Sequence, residues 1–207
     1  MKFYFLQQPI PYKKYIETQK RFREKRKENI LFLEHFPVIT AGINSKKENL
    51  LVSASVLKEK EIEYQEIQRG GDFTAHEPGQ LVIYAHIDLK KRNWGIDFFL
   101  KSFQDAISDA VGSVSGISLF CDPKRPGLYL SKNPDKKIVS IGVYFKSFFT
   151  SFGAAVNLNN SLEVFRNINP CGISAENMSS VSAEAGEKQD IRQTALAVRE
   201  RLLEKWG

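Results

Sequence analysis

The sequence predicts an α+β fold in which helices pack against a mixed, largely antiparallel sheet. Segments rich in β-branched and aromatic residues outnumber the amphipathic helical segments. The two kinds mix along the chain, and few of them follow a clean strand–helix–strand order. A chain of 207 residues that is 42% hydrophobic is long enough for one core. We therefore expect a single domain over residues 1–207.

The N-terminal part of the chain predicts a strand within residues 1–8 and then an amphipathic helix over Lys13–Lys27. The outer face of this helix is strongly basic and carries much of the net charge of +6. Such a face is typical of a solvated helix. An acidic protein partner fits it equally well. No motif that reads nucleic acid is present, and we expect neither nucleic acid nor a membrane as a partner. The inward positions at helical spacing are Tyr12, Tyr15, Ile16, Gln19, Phe22 and Arg26.

The remaining elements follow from residue type and periodicity. We expect Cys121, which ends an apolar run, to be a small buried hydrophobe. We assign no chemistry to the helix over 95–113, whose apolar stripe marks it as a core helix. The predicted elements are strands at Asn29–Glu34, Val38–Thr40, Glu63–Gln68, Gln80–Ile87, Ile117–Cys121, Leu128–Leu130, Ile138–Phe145 and Phe148–Val156, a polar turn at Ser131–Lys136, and helices at Ser53–Lys60, Gly95–Ser113 and about 191–206.

Several function classes are excluded by what the sequence lacks. No apolar run reaches about 18 residues, so we expect no transmembrane helix. The apolar start is too short for a signal peptide, and we expect a cytoplasmic protein. Cys121 and Cys171 form no C-x-x-C pair, and His35, His76 and His86 form no ligand pattern with them, so we expect no metal.

Residues 69–80, RGGDFTAHEPGQ, form the most informative segment. Three glycines and a proline predict a loop between two strands, because glycine enters positive φ freely and proline fixes φ. Adjacent glycines let a ligand lie against the backbone, and His76 offers a titratable nitrogen there. An ordinary hairpin loop with a surface histidine fits the pattern equally well. The segment does not match the phosphate-binding Walker loop.

Two later segments carry residues capable of catalysis. Lys137 begins the KIVSIGV strand, where a lysine usually extends its ammonium to solvent. Cys171 lies between Pro170 and Gly172. A lone cysteine is more often structural, but this loop suits a nucleophile whose neighbouring N–H groups receive an oxyanion.

These segments together resemble the lipoyl(octanoyl) transferase family. The matching blocks occur in the family's order, and the resemblance covers residues from about 30 to about 182. Each block alone is a weak signal, whereas the set in order is a strong one. The blocks are Glu34–Gly42, Arg69–Leu81, Lys137–Val143, Thr150–Asn157 and Asn169–Ile173.

The resemblance implies the fold of the biotin and lipoate protein ligases and an acyltransferase that needs no cofactor. The implied donor is octanoyl-acyl carrier protein. The implied acceptors are lysines of the lipoyl domains of 2-oxoacid dehydrogenases and of the glycine cleavage H protein. Cys171 is the implied acyl-accepting nucleophile, and Lys137 the residue that lowers its pKa. The residues implied to line the acyl pocket are Arg69, Gly70, Gly71, Asp72, Phe73, Thr74, Ala75, His76, Ser140, Ile141, Gly142, Gly153, Ala154 and Ala155.

Three alternatives stay open from the sequence. An octanoyl amidotransferase acting between lipoyl domains would also use a cysteine and a lysine. A lipoate or biotin ligase would need ATP and no cysteine nucleophile, and a binding module would need neither residue. Three positions depart from the family pattern: Asp72 replaces a common glutamine, Glu77 a glycine and Phe152 a frequent histidine.

Overall fold

The computed structural model describes residues 1–207, except for the side chain of Cys171. The described strands are β1 (Lys2–Phe5), β2 (Asn29–Leu33), β3 (Val38–Ala41), β4 (Glu63–Glu66), β5 (Phe73–His76), β6 (Gln80–His86), β7 (Leu119–Asp122), β8 (Arg125–Leu130), β9 (Asn133–Lys146) and β10 (Phe149–Asn157). The α-helices are α1 (Tyr12–Glu24), α2 (Ala54–Glu59), α3 (Leu89–Arg92), α4 (Ile96–Ser115), α5 (Val181–Ala185) and α6 (Ile191–Trp206). Short 3-10 helices lie at Lys47–Asn49, Phe165–Asn167, Pro170–Gly172 and Ala175–Asn177.

The described strands form two sheets. The larger sheet has seven strands in the order β1-β2-β6-β10-β9-β8-β7, and the smaller has three in the order β4-β3-β5. Only the β1–β2 and β3–β4 pairs among these are parallel. The predicted mixed, largely antiparallel α+β architecture is therefore confirmed.

The core lies on both faces of the large sheet. On one face α4 and α6 pack together, and the Trp206 indole donates to the Ser102 hydroxyl at 2.7 Å. The other face is covered in part by α1, whose Tyr12 and Tyr15 are almost fully buried. None of the helices in the described part has the length and hydropathy needed to span a bilayer.

Three local predictions were wrong. Phe73–His76, expected within a loop, is a buried strand that pairs with β3, because glycines on both sides concealed a short apolar segment. Most of Ser131–Lys136, expected as a turn, is the start of β9, which is polar because it projects into solvent. Cys121 is exposed rather than buried, since it lies on the edge strand β7.

A network of neutral histidines connects α1 to the large sheet. His35 Nδ1 donates to the Ile10 carbonyl at 2.9 Å, so its Nε2 accepts from the Tyr84 hydroxyl at 2.8 Å. His86 Nδ1 similarly donates to Asn29 Oδ1 at 3.0 Å, and its Nε2 faces the Tyr15 hydroxyl at 3.4 Å. Each ring is thus held as one neutral tautomer.

His76 completes this set. Its Nδ1 donates to Gln80 Oε1 at 2.7 Å, because the Gln80 amide nitrogen is already committed to two acceptors. Burial lowers the pKa of His35 to about 4 and the pKa values of His76 and His86 to about 3. All three rings are therefore neutral near pH 7.

We predict that the protein loses stability as the pH falls below about 6.5, the pKa of histidine in an unfolded chain. Between that value and the lower folded-state values, the unfolded chain binds more protons than the folded one. Each histidine then lowers the free energy of unfolding by about 1.4 kcal/mol per pH unit. Urea unfolding at pH 7, 6 and 5 measures this slope. His86→Gln should reduce the loss of stability per pH unit. A urea midpoint that does not change with pH would contradict the assignment of neutral, buried histidines.

Candidate active site

A cavity of about 260 Å³ is bounded by residues of both sheets and of helices α1 and α4. Most of the residues that the sequence pointed to lie in its lining. These are Arg69, Gly70, Gly71, Phe73, Thr74, His76, Lys137, Ser140, Ile141, Gly142, Gly153, Ala154 and Ala155.

The space for this cavity comes from small residues that face each other on β9 and β10. Ser140 pairs with Ala155, and Gly142 pairs with Gly153. A Cβ atom on Gly142 would lie 3.0 Å from the Arg69 side chain and 3.0 Å from the Gly70 carbonyl. Glycine at position 142 therefore allows the glycine-rich segment to approach β9 closely.

Arg69 holds that segment in place between the two sheets. Its guanidinium donates to the Thr40 carbonyl at 2.7 Å and to the Thr40 hydroxyl at 2.9 Å, both on β3. The amide of the next residue, Gly70, donates to the Val143 carbonyl of β9 at 3.2 Å. One arginine and one backbone amide thus connect the small sheet to the large one along the cavity wall.

Lys137 is buried, with only 3% of its surface exposed, so it does not extend to solvent. Its ammonium lies 5.7 Å from the centre of the Tyr129 ring. Gly127, at φ +126°, leaves room for it, since a Cβ there would lie 2.5 Å from Lys137 Cε. The Lys137 side chain is thus confined beside Tyr129 and Gly127 at the cavity wall.

The side chain of Cys171 lies outside the described residues. Its neighbour Pro170 lines the cavity. The sequence suggested the amides after Cys171 as oxyanion donors. The Gly172 amide donates to the Asn169 carbonyl, and the Ile173 amide donates to the Pro170 carbonyl, at 3.2 Å each. These two amides are therefore used within the turn.

Two of the predicted pocket residues, Asp72 and Ala75, lie outside the described cavity lining. Ala75 is buried in the core of the small sheet. The Asp72 carboxylate accepts hydrogen bonds from the Lys46 amide at 3.1 Å and from the Asn49 side chain. The Asn49 carbonyl accepts from the Asn169 amide at 2.8 Å. Asp72 therefore links the glycine-rich segment to the turn that contains Cys171.

Glu77 also has a structural explanation. This buried carboxylate accepts from the Asn160 side chain at 3.1 Å, the Ser161 hydroxyl at 3.2 Å and the Val164 amide at 3.4 Å. It holds the segment after β10 against the β5–β6 turn.

Sequence reasoning did not identify several residues of the lining. Leu100 and Gln104 belong to α4, to which we assigned no chemistry, because a helical stripe does not reveal where the core opens. Tyr12 was recognised only as an inward position of α1. The further lining residues are Tyr84, Pro126, Gly127, Val143, Phe145, Phe152 and Pro170.

We predict that Asp72 and Asn49 are energetically coupled. Asp72→Ala and Asn49→Ala each remove the same buried hydrogen bond, so the double variant should lose less stability than the sum of the single variants. The expected coupling energy is about 0.5–3 kcal/mol, from urea unfolding of all four proteins. Asp72→Asn, which keeps an acceptor oxygen, is the matched control. Additive losses of stability would show that the hydrogen bond between Asp72 and Asn49 contributes nothing to stability.

Two comparisons of the sequence with known proteins agree with each other. The model of the lipoyl protein ligase A/B catalytic domain matches residues 11–203. The chain is 55% identical over 181 residues to an octanoyltransferase of Leptospira interrogans, a match that covers 87% of this chain and 84% of that protein.

Solved structures show the same fold at low identity. A bipartite lipoate protein ligase of Thermoplasma acidophilum superposes with a TM-score of 0.77 at 14% identity, covering 99% of this chain and 82% of that one. A lipoate-protein ligase A bound with ATP gives a TM-score of 0.74 at 15% identity, covering 99% and 85%. The expected fold of this ligase group is confirmed, and the chain belongs to the octanoyltransferase family of enzymes.

Proposed function

We propose that residues 1–207 act as one catalytic domain that moves an octanoyl group from octanoyl-acyl carrier protein to a lysine of a lipoyl domain, through a thioester on Cys171. The observation that carries this proposal is the buried Lys137, which lines the same cavity as Pro170, the residue before Cys171. An ammonium in that position is suited to activating a thiol.

In the first half-reaction, the Cys171 thiolate attacks the carbonyl carbon of the donor thioester. The new C–S bond forms and the old one breaks. The carrier thiolate takes a proton from the Lys137 ammonium and leaves as a thiol, so Lys137 becomes a neutral amine. A free thiol has a pKa of about 8.5, and a neighbouring cation lowers it by about 1–3 units. Lys137 supplies that cation, and the small residues of β9 and β10 leave room for the acyl chain.

In the second half-reaction, the acceptor amine attacks the thioester carbonyl carbon of acyl-Cys171. The C–N bond forms and the C–S bond breaks, which restores the thiolate. Acylation removes the anion that favoured the charged form of Lys137, so its amine can take the proton of the incoming lysine. Thioester exchange is nearly balanced and amide formation is downhill, so ATP is not required.

The surface charge supports acidic carrier proteins as partners. Near α1, Arg26 pairs with Asp88 at 2.6 Å and Arg92 pairs with Glu28 at 3.0 Å. These pairs neutralise Asp88 and Glu28. Outside these pairs, the exposed basic residues of α1 and the turn after it outnumber the two exposed acidic ones, Glu17 and Glu24. These basic residues are Lys13, Lys14, Lys20, Arg21, Lys25 and Lys27. We propose that this surface attracts the donor and the lipoyl domains of 2-oxoacid dehydrogenases or the glycine cleavage H protein, in the cytoplasm, by long-range attraction.

We predict one octanoyl adduct on Cys171 when the protein is incubated with octanoyl-acyl carrier protein without ATP. Intact-mass measurement detects the adduct, and hydroxylamine should release it because it is a thioester. Cys171→Ser should show no hydroxylamine-sensitive adduct, whereas Cys121→Ser, a matched control, should react like the wild type. An adduct that requires ATP would favour a ligase. Acylation from an octanoyl-lipoyl domain but not from the carrier protein would favour an amidotransferase.

We also predict different losses for two substitutions of Lys137. Lys137→Met should raise the pKa of the Cys171 thiol and suppress both half-reactions. Lys137→Arg keeps the charge, so it should keep much of the pKa shift, yet it should fail at amide formation because guanidinium does not release a proton near neutral pH. The pH dependence of Cys171 alkylation and single-turnover transfer to a lipoyl domain measure the two effects. An alkylation pKa unchanged by both substitutions would refute the assignment.

A further inference from the structure

Phe152 has an unusual backbone conformation for a residue in a strand. Its φ is +63°, in the left-handed region that non-glycine residues rarely occupy. The next residue, Gly153, pairs with Tyr84, so a regular ladder would pair Phe152 with Ala85. Instead, the Phe152 amide donates to the Tyr15 hydroxyl at 3.1 Å, and the Ala85 carbonyl accepts from the Thr150 hydroxyl at 2.6 Å. Two side chains thus replace the missing backbone bonds.

This conformation decides the face on which the Phe152 ring lies. Alternate residues of a strand point to the same face, and Ala154 and Val156 belong to the cluster that packs against α4. Phe152 belongs to the opposite cluster, with Tyr84 and Ala155. The left-handed φ therefore turns the ring away from α4 and into the cavity lining.

The ring forms a buried part of the cavity lining. Phe152 is 3% exposed, and its ring centre lies 5.8 Å from that of Tyr15 and 6.4 Å from that of Tyr84. In contrast, the lining residues Leu100 and Gln104 of α4 are partly exposed. The ring of Phe152 covers part of Tyr15 and Tyr84. The surface that faces the cavity there is therefore the apolar ring of Phe152.

We propose that Phe152 is a specificity residue that forms the end wall of the acyl cavity and limits the length of the chain bound there. This inference rests on the proposed function. An acyl chain attached at the Lys137 end runs over the small pairs Ser140–Ala155 and Gly142–Gly153 and meets the ring of Phe152, whose β9 partner is Val143. A longer chain has to displace that ring, which is packed on Tyr15 and Tyr84.

Tyr15 is the residue that keeps the wall in position. Its hydroxyl accepts from the Phe152 amide at 3.1 Å and lies 3.4 Å from His86 Nε2, whose ring is fixed by Asn29. Tyr15→Phe removes the acceptor but keeps the ring. The strained backbone then loses the hydrogen bond that compensates for it, and the end wall loosens.

The test compares octanoyl, decanoyl and dodecanoyl thioesters as donors, with Cys171 acylation followed by intact mass. In Phe152→Ala the ratio of dodecanoyl to octanoyl acylation rates should rise roughly tenfold or more, since each added methylene changes discrimination by about 10-fold or more. Tyr15→Phe should shift the ratio in the same direction by less. Val82→Ala, in the same apolar cluster but outside the cavity lining, should leave it unchanged.

A second measurement separates this inference from the proposed mechanism. Calorimetric titration with free octanoic and dodecanoic acids reports chain length without any acyl transfer. A gain in dodecanoic acid affinity in Phe152→Ala supports the end wall even if wild-type Cys171 is never acylated, which would refute only the mechanism. If Phe152→Ala does not fold, Phe152→Leu, which keeps a bulky apolar side chain, replaces it in both measurements. An unchanged chain-length profile in a folded variant, by both methods, overturns the inference.

Discussion

The attachment of the glycine-rich segment to both sheets is the constraint on which the site depends. Arg69 bonds to Thr40 on the small sheet, and Gly70 bonds to Val143 on the large one. This connection joins β3 to β9 through two residues that line the cavity. Charge-assisted hydrogen bonds to backbone and hydroxyl oxygens are stronger than neutral ones, which suits an arginine that is only 6% exposed.

The layer between α1 and the large sheet is polar, and each of its histidines is hydrogen-bonded through Nδ1. His35, His76 and His86 each have a defined donor nitrogen and are neutral at physiological pH. A buried network of this kind specifies one arrangement of its members, because any shift leaves a polar group without a partner. It therefore fixes Tyr15 and Tyr84, and through them the buried end of the cavity, more tightly than apolar packing would.

Sequence patterns correctly predicted those parts of the fold that depend on local residue type and periodicity. The stripe of the last helix led to α6, and Ser53 caps α2 by accepting from the Val56 amide at 3.4 Å, as predicted. They failed for β5, a strand of only four residues whose pairing with β3 is not encoded locally.

Most residues of the candidate site were predicted from the resemblance to a family and not from local sequence patterns. Ser140–Gly142 and Gly153–Ala155 came from the resemblance to a family, since small residues in strands have many causes. Leu100 and Gln104 could not be found, because periodicity identifies the buried face of a helix and not a cavity beside it. The φ of Phe152 could not be found either, because it depends on a hydrogen bond to Tyr15, far away in sequence.

Two costly features lie on the same hairpin, and different strand pairings hold them in place. Burying the ammonium of Lys137 on β9 is unfavourable in itself. The left-handed backbone of Phe152 on β10 costs of the order of 1–3 kcal/mol. These strands have 14 and 9 residues and pair along most of the shorter one. The β9–β10 ladder runs from Val139 to Lys146 on β9, and it includes Phe152, which stays paired with Val143. Lys137 lies before this ladder and pairs with Tyr129 of β8, between two register shifts. The regular ladder therefore supports the left-handed residue, whereas the irregular β8–β9 pairing and Gly127 leave room for the Lys137 side chain.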